Sequence, residues 1–231
     1  MPDDVNPTRR YDASRRQAQA NATRRRMLEE ARRLFLDHGY AKAAMPQIAS
    51  AAGVSVQTVY KAFANKATLL KAVFDVAVAG DDDDVSMTER DIIGNIRAEP
   101  DAAGKITLYL SHLAQGSPRY APVQLLARAA ASADPAARAV WEQIRAETLT
   151  AMTMFAADLV STDQLRHDLS ADDVRDVLWV YHSPEIFEML VLARGWDTDR
   201  YGRFLTEAVI DALLSPRTAS RRGGGRDVTQ T

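Results

Sequence analysis

The sequence predicts an all-α protein built from a small N-terminal domain and a larger C-terminal one. Aromatic residues make up only 7% of the chain whereas alanine is abundant, and alanine has the highest helix propensity of all residues. Apolar residues recur at spacings of three and four through most of the sequence, as on one face of a helix. With 231 residues, 46% of them hydrophobic, the chain can form a core in both parts.

The first 20 residues are predicted to form a flexible basic arm. They contain Pro2, Pro7 and clustered charges without apolar periodicity, and seven arginines lie between positions 9 and 26. Such an arm can lie along phosphates or enter a narrow minor groove, or it can serve only as a solubilising tail.

Residues 21–66 are predicted to form a three-helix domain that contains a helix-turn-helix. The first helix follows from the apolar spacing between Met27 and Phe35, and Gly39 ends it. The second begins near Pro46, whose fixed φ suits a first turn, and ends at Gly53. Ser55 is placed to cap the third helix, which ends near residue 63, and Asn65 is placed to cap a connecting helix over residues 67–80.

The remainder of the chain is predicted to contain an acidic linker, a large helical domain and a tail. Four consecutive aspartates begin at Asp81, so residues 81–100 are interpreted as a solvated loop. Residues 101–214 show about six helical patterns, with breaks at segments such as 116–118, 134–135 and 183–184. Residues 215–231, which are rich in Gly and Arg, are predicted to be a disordered tail.

Charge is divided unevenly between the two parts. Residues 1–75 carry thirteen Lys and Arg against seven Asp and Glu, whereas the rest carries sixteen against twenty-four. A basic N-terminal unit suits the DNA backbone, because each neutralised phosphate releases counterions, and the acidic remainder would be repelled by it. Chance surface imbalance is the alternative explanation.

Several function classes find no support in the sequence. The chain has no cysteine, which excludes disulfides, thiolate zinc sites and a cysteine nucleophile. No nucleophile elbow, phosphate-binding loop, dinucleotide fingerprint or HExxH pair is present, and the four histidines are scattered. We therefore expect no enzyme, no cofactor and no metal site. Without a signal-peptide core or a long apolar run, we expect a cytoplasmic protein with no membrane partner.

The segment from Pro46 to Phe63 fits two helices that cross at a sharp turn and share a core. Ala49 permits close helix approach and Gly53 permits a left-handed turn. On the outward face of the third helix, Gln57 can pair with an adenine edge, while Val56 and Thr58 can contact a thymine methyl. Tyr60, Lys61 and Lys66 are better placed to hold phosphates.

The run from Arg26 to Leu70, above all IASAAGVSVQTVYKAFANKATLL, closely resembles the DNA-binding domain of TetR-family repressors. The chain departs from the family pattern at Gln57, Ala62 and Ala67, which puts the operator sequence and some phosphate contacts in doubt. The resemblance implies a homodimer that reads a palindromic double-stranded DNA operator and whose C-terminal domain binds a small effector. The DNA-binding residues predicted here are Arg24, Arg25, Arg26, Pro46, Ser55, Val56, Gln57, Thr58, Tyr60, Lys61 and Lys66.

The C-terminal domain offers candidates for dimerisation and for effector binding. The stretch from Val174 to Tyr181 and the amphipathic run from Tyr201 to Leu213 are predicted to be dimerisation helices. A largely apolar, drug-like or lipid-like effector is expected, because few polar groups accompany the apolar candidates, each of which can equally be ordinary core. These candidates are Tyr109, His112, Trp141, Met152, Phe155, Trp179 and His182.

These observations favour a ligand-responsive transcriptional repressor over two alternatives. An enzyme lacks any motif that would bring its reactive groups together. A helical protein-binding module with a relict helix-turn-helix is the second alternative, and failure to select any DNA sequence would favour it.

Overall fold

A computed structural model describes residues 7–80 and 91–214, and it confirms the all-α fold. Within these residues the β structure is limited to one isolated bridge, between Leu165 and Leu214. No helix among them is both long and apolar enough to cross a membrane. The helices are α1 (Pro7–Lys42), α2 (Met45–Ala51), α3 (Val56–Phe63), α4 (Lys66–Ala79), α5 (Asp91–Ala98), α6 (Ala102–Ala130), α7 (Pro135–Val160), α8 (Ala171–Tyr181), α9 (Pro184–Phe187) and α10 (Thr198–Leu213).

Helix α1 begins much earlier than the apolar pattern predicts. It starts at Pro7, whereas the apolar pattern predicts a first helix only from about residue 21, after a flexible basic arm over residues 1–20. Apolar spacing detects only the part of a helix that packs on a core, and residues 15–22 of α1 are exposed. Gly39 interrupts α1 with φ 78° and ψ 158°, which confirms the predicted break.

The capping predictions around the N-terminal domain are confirmed. The Ser55 side chain accepts a hydrogen bond from the Thr58 N–H at 3.1 Å, and Asn65 caps α4 through the Thr68 N–H at 2.8 Å. Gly80 ends α4 in the left-handed conformation, with φ 85°. The domain's core consists of large side chains that are almost fully buried, among them Phe35, Ile48, Val59, Phe63 and Leu69.

The C-terminal domain is built around the long helices α6 and α7, and its segmentation differs from the prediction. Helix α6 continues through the expected break at residues 116–118 and holds both Pro118 and Pro122 in its interior. Residues 101–214 contain five α-helices and one π-helical turn, which agrees with the expected number of about six although the breaks fall elsewhere. Helix α5 lies within the segment predicted to be a loop, although Asp81 to Asp84 and the predicted tail lie outside the described residues.

Helix α5 is fastened to the domain by a buried lysine. Lys105 of α6 is only 3% exposed, and its ammonium donates to the carbonyls of Ile96 and Arg97 at 2.9 and 3.1 Å. It also forms an ion pair with Asp158 of α7 at 2.9 Å. One side chain therefore joins three helices and satisfies carbonyls at the C-terminal end of α5.

The last three helices cover α6 and α7. Helix α9 continues into a π-helical turn, Glu188–Leu192, and α10 packs along α6. The apolar positions that predict dimerisation in α10 face this intramolecular core, since Tyr201, Leu205, Val209 and Leu213 are at most 1% exposed. Four large apolar side chains of these helices remain exposed, those of Val180, Met189, Leu192 and Phe204.

Candidate nucleic-acid interface and internal cavity

The turn between α2 and α3 has the geometry that the sequence predicts. Gly53 adopts φ 68°, and the Val54 N–H donates to the Ala49 carbonyl at 3.0 Å. Ala49 is 1% exposed, so the two helices approach closely at a residue with a small side chain. The turn thereby fixes the orientation of α3 on the rest of the domain.

The outward face of α3 presents polar side chains to solvent. Gln57, Tyr60 and Lys61 are exposed, and Tyr60 retains 48% of its accessible surface despite its aromatic ring. Val56 and Thr58 are half-buried beside them, and the Thr58 hydroxyl lies 2.8 Å from that of Ser55. This combination offers one amide, one phenol and one cation to a facing ligand, while Thr58 is partly engaged within the protein.

The remaining predicted DNA contacts are placed less uniformly. Pro46 is exposed in the first turn of α2, and Arg25 and Arg26 are exposed on α1. Arg24 instead lies over the Phe63 ring, 4.7 Å from its centroid. The Lys66 ammonium donates to the carbonyls of Tyr40 and Ala41, at 2.8 and 3.4 Å. A phosphate contact from the Lys66 side chain would therefore require it to leave these carbonyls.

The connection from α3 to α4 contains a strained residue. Ala64 adopts φ 54° and ψ −51°, and the Asn65 N–H donates back to the Phe63 carbonyl across it. This is the γ-turn that is rare for residues with a β-carbon, and such conformations cost about 1–3 kcal/mol.

Replacing Ala64 with glycine is expected to raise the free energy of unfolding by about 1 kcal/mol, because glycine relieves this strain but loses more entropy on folding. Ala62→Gly is the matched control, since Ala62 is exposed in α3 and glycine should there lower the same free energy by about 1 kcal/mol. Urea denaturation at a fixed protein concentration measures both. Equal destabilisation by the two variants would show that the backbone at Ala64 is not strained.

A cavity of about 1200 Å³ lies between α1, α4, α5, α6 and α7. Five of the seven residues predicted to bind an effector line it: Tyr109, His112, Met152, Phe155 and His182. The other two are absent from its walls. Instead, the Arg145 guanidinium lies over both the Trp141 and the Trp179 rings, 5.9 and 5.1 Å from their centroids.

The polar groups of the cavity include a pair of half-buried aromatic side chains, Tyr109 and His182. The Tyr109 hydroxyl lies 2.7 Å from Nδ1 of His182, and the Met152 sulfur is 3.5 Å from the same hydroxyl. Burial lowers the pKa of His182 to about 4, so its imidazole is neutral at physiological pH. Burial also raises the pKa of Tyr109 well above its usual range. This part of the cavity can orient a ligand by neutral hydrogen bonds.

Charged groups also line the cavity, and the carboxylates among them are already paired. Asp75 and Glu147 both bind the Lys71 ammonium, at 2.6 and 3.0 Å. Asp158 is held by Lys105 of α6. Burial raises the pKa of Asp75, and the ion pair with Lys71 opposes this shift.

Several wall residues could not be identified from the sequence. Gln17 and Asn21 of α1 and Val76 of α4 belong to the N-terminal part of the chain, which the sequence assigned to DNA contacts and a connecting helix. Arg119 was likewise missed, because it lies in a segment that was interpreted as following a helix break. No local pattern marks these residues, since the cavity brings together positions more than 100 residues apart. Within the described residues, no group of three or more potential metal-ligating side chains is present.

Residues 27–73 match the model of a family described as bacterial regulatory proteins, tetR family. The match covers α2 and α3 in full, together with residues 27–42 of α1 and residues 66–73 of α4. No curated protein sequence matches the chain.

Several solved structures share the fold. NalD of Pseudomonas aeruginosa, the secondary repressor of the MexAB-OprM multidrug efflux pump, aligns with TM-score 0.66 and 18% identity over 90% of this chain and 100% of its own. FadR of Bacillus subtilis, solved with stearoyl-CoA, aligns with TM-score 0.65 and 19% identity over 80% and 96%. A transcriptional regulator from Saccharomonospora viridis, solved with choline, aligns with TM-score 0.61 and 19% identity over 84% and 98%.

Proposed function

Given a chain that belongs to the TetR family of transcriptional regulators, we propose that it is a ligand-responsive repressor that binds a palindromic operator as a homodimer. The exposed face of α3, with Gln57, Tyr60 and Lys61 directed away from the core by the Gly53 turn, carries this proposal. A helix held in this way can enter a major groove, where Gln57 supplies a bidentate contact to adenine and the other two hold the backbone.

The charge distribution supports the same orientation on DNA. Arg25 and Arg26 are exposed on α1, ahead of α2 and α3, within the strongly basic N-terminal third of the chain. Most base-independent affinity for DNA comes from such cations. The acidic C-terminal domain would then face away from the duplex.

A homodimer is proposed because two recognition helices are needed to read a palindrome. They must lie about 34–36 Å apart, or a multiple of this, to enter equivalent major grooves. The exposed side chains of Val180, Met189, Leu192 and Phe204, on α8, the π-helical turn and α10, are proposed to form an apolar patch that meets its copy, because exposed apolar side chains are commonly covered in an oligomer.

Effector control is proposed to act through the cavity. Its walls come from α1 and α4 as well as from α5, α6 and α7, so an occupant touches both domains at once. An effector that fits better when the domains are differently arranged will shift the population and lower DNA affinity by the same coupling free energy. That FadR was solved with stearoyl-CoA and the Saccharomonospora protein with choline supports a small organic ligand for this chain as well.

Selection of bound DNA from a random pool, with the purified full-length protein, tests the proposal. On the selected duplex, Lys61→Ala is expected to reduce the magnitude of the slope of log K against log salt by about 1, because one phosphate contact is lost. Fluorescence anisotropy measures this slope over a series of salt concentrations from about 50 to about 300 mM, a range that includes physiological ionic strength.

Arg175→Ala is the control for loss of one cation. Arg175 lies on α8 and is already paired with Asp172 and Asp176, so its removal should leave the salt slope unchanged. Equal slopes for wild type and Lys61→Ala would contradict the assigned contact. No enriched sequence at low salt would overturn DNA binding and favour the protein-binding module.

A further inference from the structure

We propose that the cavity binds an amphipathic organic anion whose charged end pairs with Arg119, and that this pairing couples occupancy to the DNA-binding domain. The proposal rests on the proposed function, for which it specifies the effector class and the coupling residue. The volume of the cavity, the ion pairs in its walls and the position of Arg119 support it independently of one another.

The size and walls of the cavity favour a long apolar moiety. Its volume of about 1200 Å³ lies above the range of about 300–1,000 Å³ in which most ligand pockets fall. Apolar side chains from α5, α6 and α7 form much of the surface, including Ile93, Leu113, Ile144, Met152 and Phe155. A small polar metabolite would leave these side chains without contacts, whereas an alkyl or polycyclic body would cover them.

The pairing of charges in the walls selects the sign of the ligand. Each of the three carboxylates already binds a lysine, so a cationic ligand would have to displace Lys71 or Lys105. Arg97 and Arg119 also line the cavity, and among residues 7–80 and 91–214 neither has a carboxylate partner. Both are exposed, so they mark the part of the cavity that solvent reaches. An amphipathic anion satisfies them while its apolar body lies deeper.

Arg119 lies where α6 meets both helices that lead to the recognition helix. Its Nε donates to the carbonyl of Ala77 in the last turn of α4, at 3.4 Å, and its own carbonyl accepts from Arg32 of α1 at 3.1 Å. One of its guanidinium nitrogens lies 3.6 Å from the position that a β-carbon on Gly80 would occupy. The side chain therefore contacts the C-terminal end of α4 from within the cavity wall.

A bound carboxylate would compete for this guanidinium. A charged acceptor forms a stronger hydrogen bond than the Ala77 carbonyl, whose distance of 3.4 Å is already long. Pairing with the ligand therefore loosens Arg119 from the end of α4. Because Asn65 joins α4 directly to α3, a change in α4 changes the position of the recognition helix.

Calorimetric titration of the full-length protein with three probes of equal chain length tests the ligand class. The probes are dodecanoate and dodecyltrimethylammonium, each below its micellar concentration, and dodecanol below its solubility limit. We expect dodecanoate to bind at least about tenfold more tightly than the other two, the value of one charged hydrogen bond. Arg119→Gln should remove this preference and Arg119→Lys should retain part of it.

Arg138→Gln is the matched control. The Arg138 Nε also donates to a carbonyl near a helix end, that of Ala131 at 3.1 Å, but Arg138 is not part of the cavity wall. Its replacement should leave the preference for dodecanoate unchanged. Tighter binding of the cation, equal binding of all three probes, or no binding of dodecanoate would overturn the proposal. An unchanged preference in Arg119→Gln would overturn the role of Arg119.

A second measurement tests coupling on the selected operator. Dodecanoate should weaken operator binding by the wild type about tenfold and that by Arg119→Gln by less than about twofold. An equal effect on both proteins would overturn the coupling role. The calorimetric measurement needs no DNA, so a protein that binds dodecanoate but selects no operator would overturn the proposed function and leave the ligand class supported.

Discussion

Replacing Lys105 with methionine is expected to lower the free energy of unfolding by about 3 kcal/mol. The substitution leaves the carbonyls of Ile96 and Arg97 without their donor and Asp158 without its cation, in a place where Lys105 itself is only 3% exposed. Removing one partner from a buried ionic network lowers the free energy of unfolding by more than the intact network contributes to it, because the remaining groups stay desolvated. Urea denaturation at a fixed protein concentration measures the change.

Lys71→Met is the control for this prediction. Lys71 also binds two carboxylates, but the side chains of Asp75 and Glu147 are 52% and 50% exposed, and water replaces the lost cation. We expect a loss below about 1 kcal/mol. Asp158→Asn should fall between the two, since Lys105 keeps two carbonyls and an amide oxygen can accept. A loss in Lys105→Met no greater than that in Lys71→Met would show that the buried lysine does not hold α5.

Introducing glutamate at both Leu192 and Phe204 is expected to convert the proposed homodimer to a monomer and to weaken operator binding by about 100-fold or more. Leu192 is 55% exposed and Phe204 38% exposed on one protomer, so the substitutions should not disturb its core. In a dimer they would bury four like charges, and a monomer gains only one half-site on DNA. Analytical ultracentrifugation measures the mass, and fluorescence anisotropy measures the affinity.

Val160→Glu is the corresponding control on another surface. Val160 is 44% exposed at the end of α7 and is not part of the proposed patch, so its variant should remain dimeric and bind the operator normally. A double variant that stays dimeric would place the interface elsewhere. A wild-type protein that is monomeric at micromolar concentration and on DNA would overturn the dimer itself.

The sequence predicts the N-terminal domain well because its determinants are local. Gly53 at the turn and the caps Ser55 and Asn65 act within three or four residues, and the structure has each of them in its predicted role. The exposed face of α3 follows from the same short-range pattern. The start of α1 could not be predicted in this way, because residues 15–22 of the helix are exposed and carry no apolar pattern.

The C-terminal domain is predicted less well because its determinants lie far apart in the sequence. Proline normally ends a helix, yet Pro118 lies within α6 between positions that are buried against neighbouring helices, and packing outweighs local preference there. The cavity forms from five helices, so neither Arg119 nor Gln17 carries a local signal. Trp141 and Trp179 have the spacing of core residues, and only the fold shows that they stack on Arg145 outside the cavity.

The two prolines of α6 also determine how this helix can bend. Proline has no N–H, so the carbonyls of Ala114 and Pro118 lack the bonds that residues 118 and 122 would otherwise donate. The two missing bonds are four residues apart, hence on the same side of the rod and in consecutive turns. Bending the helix so that this side lengthens breaks fewer backbone hydrogen bonds than bending it in any other direction. The helix that carries Arg119 is therefore mechanically anisotropic, and it bends most easily in the turns directly beside that residue.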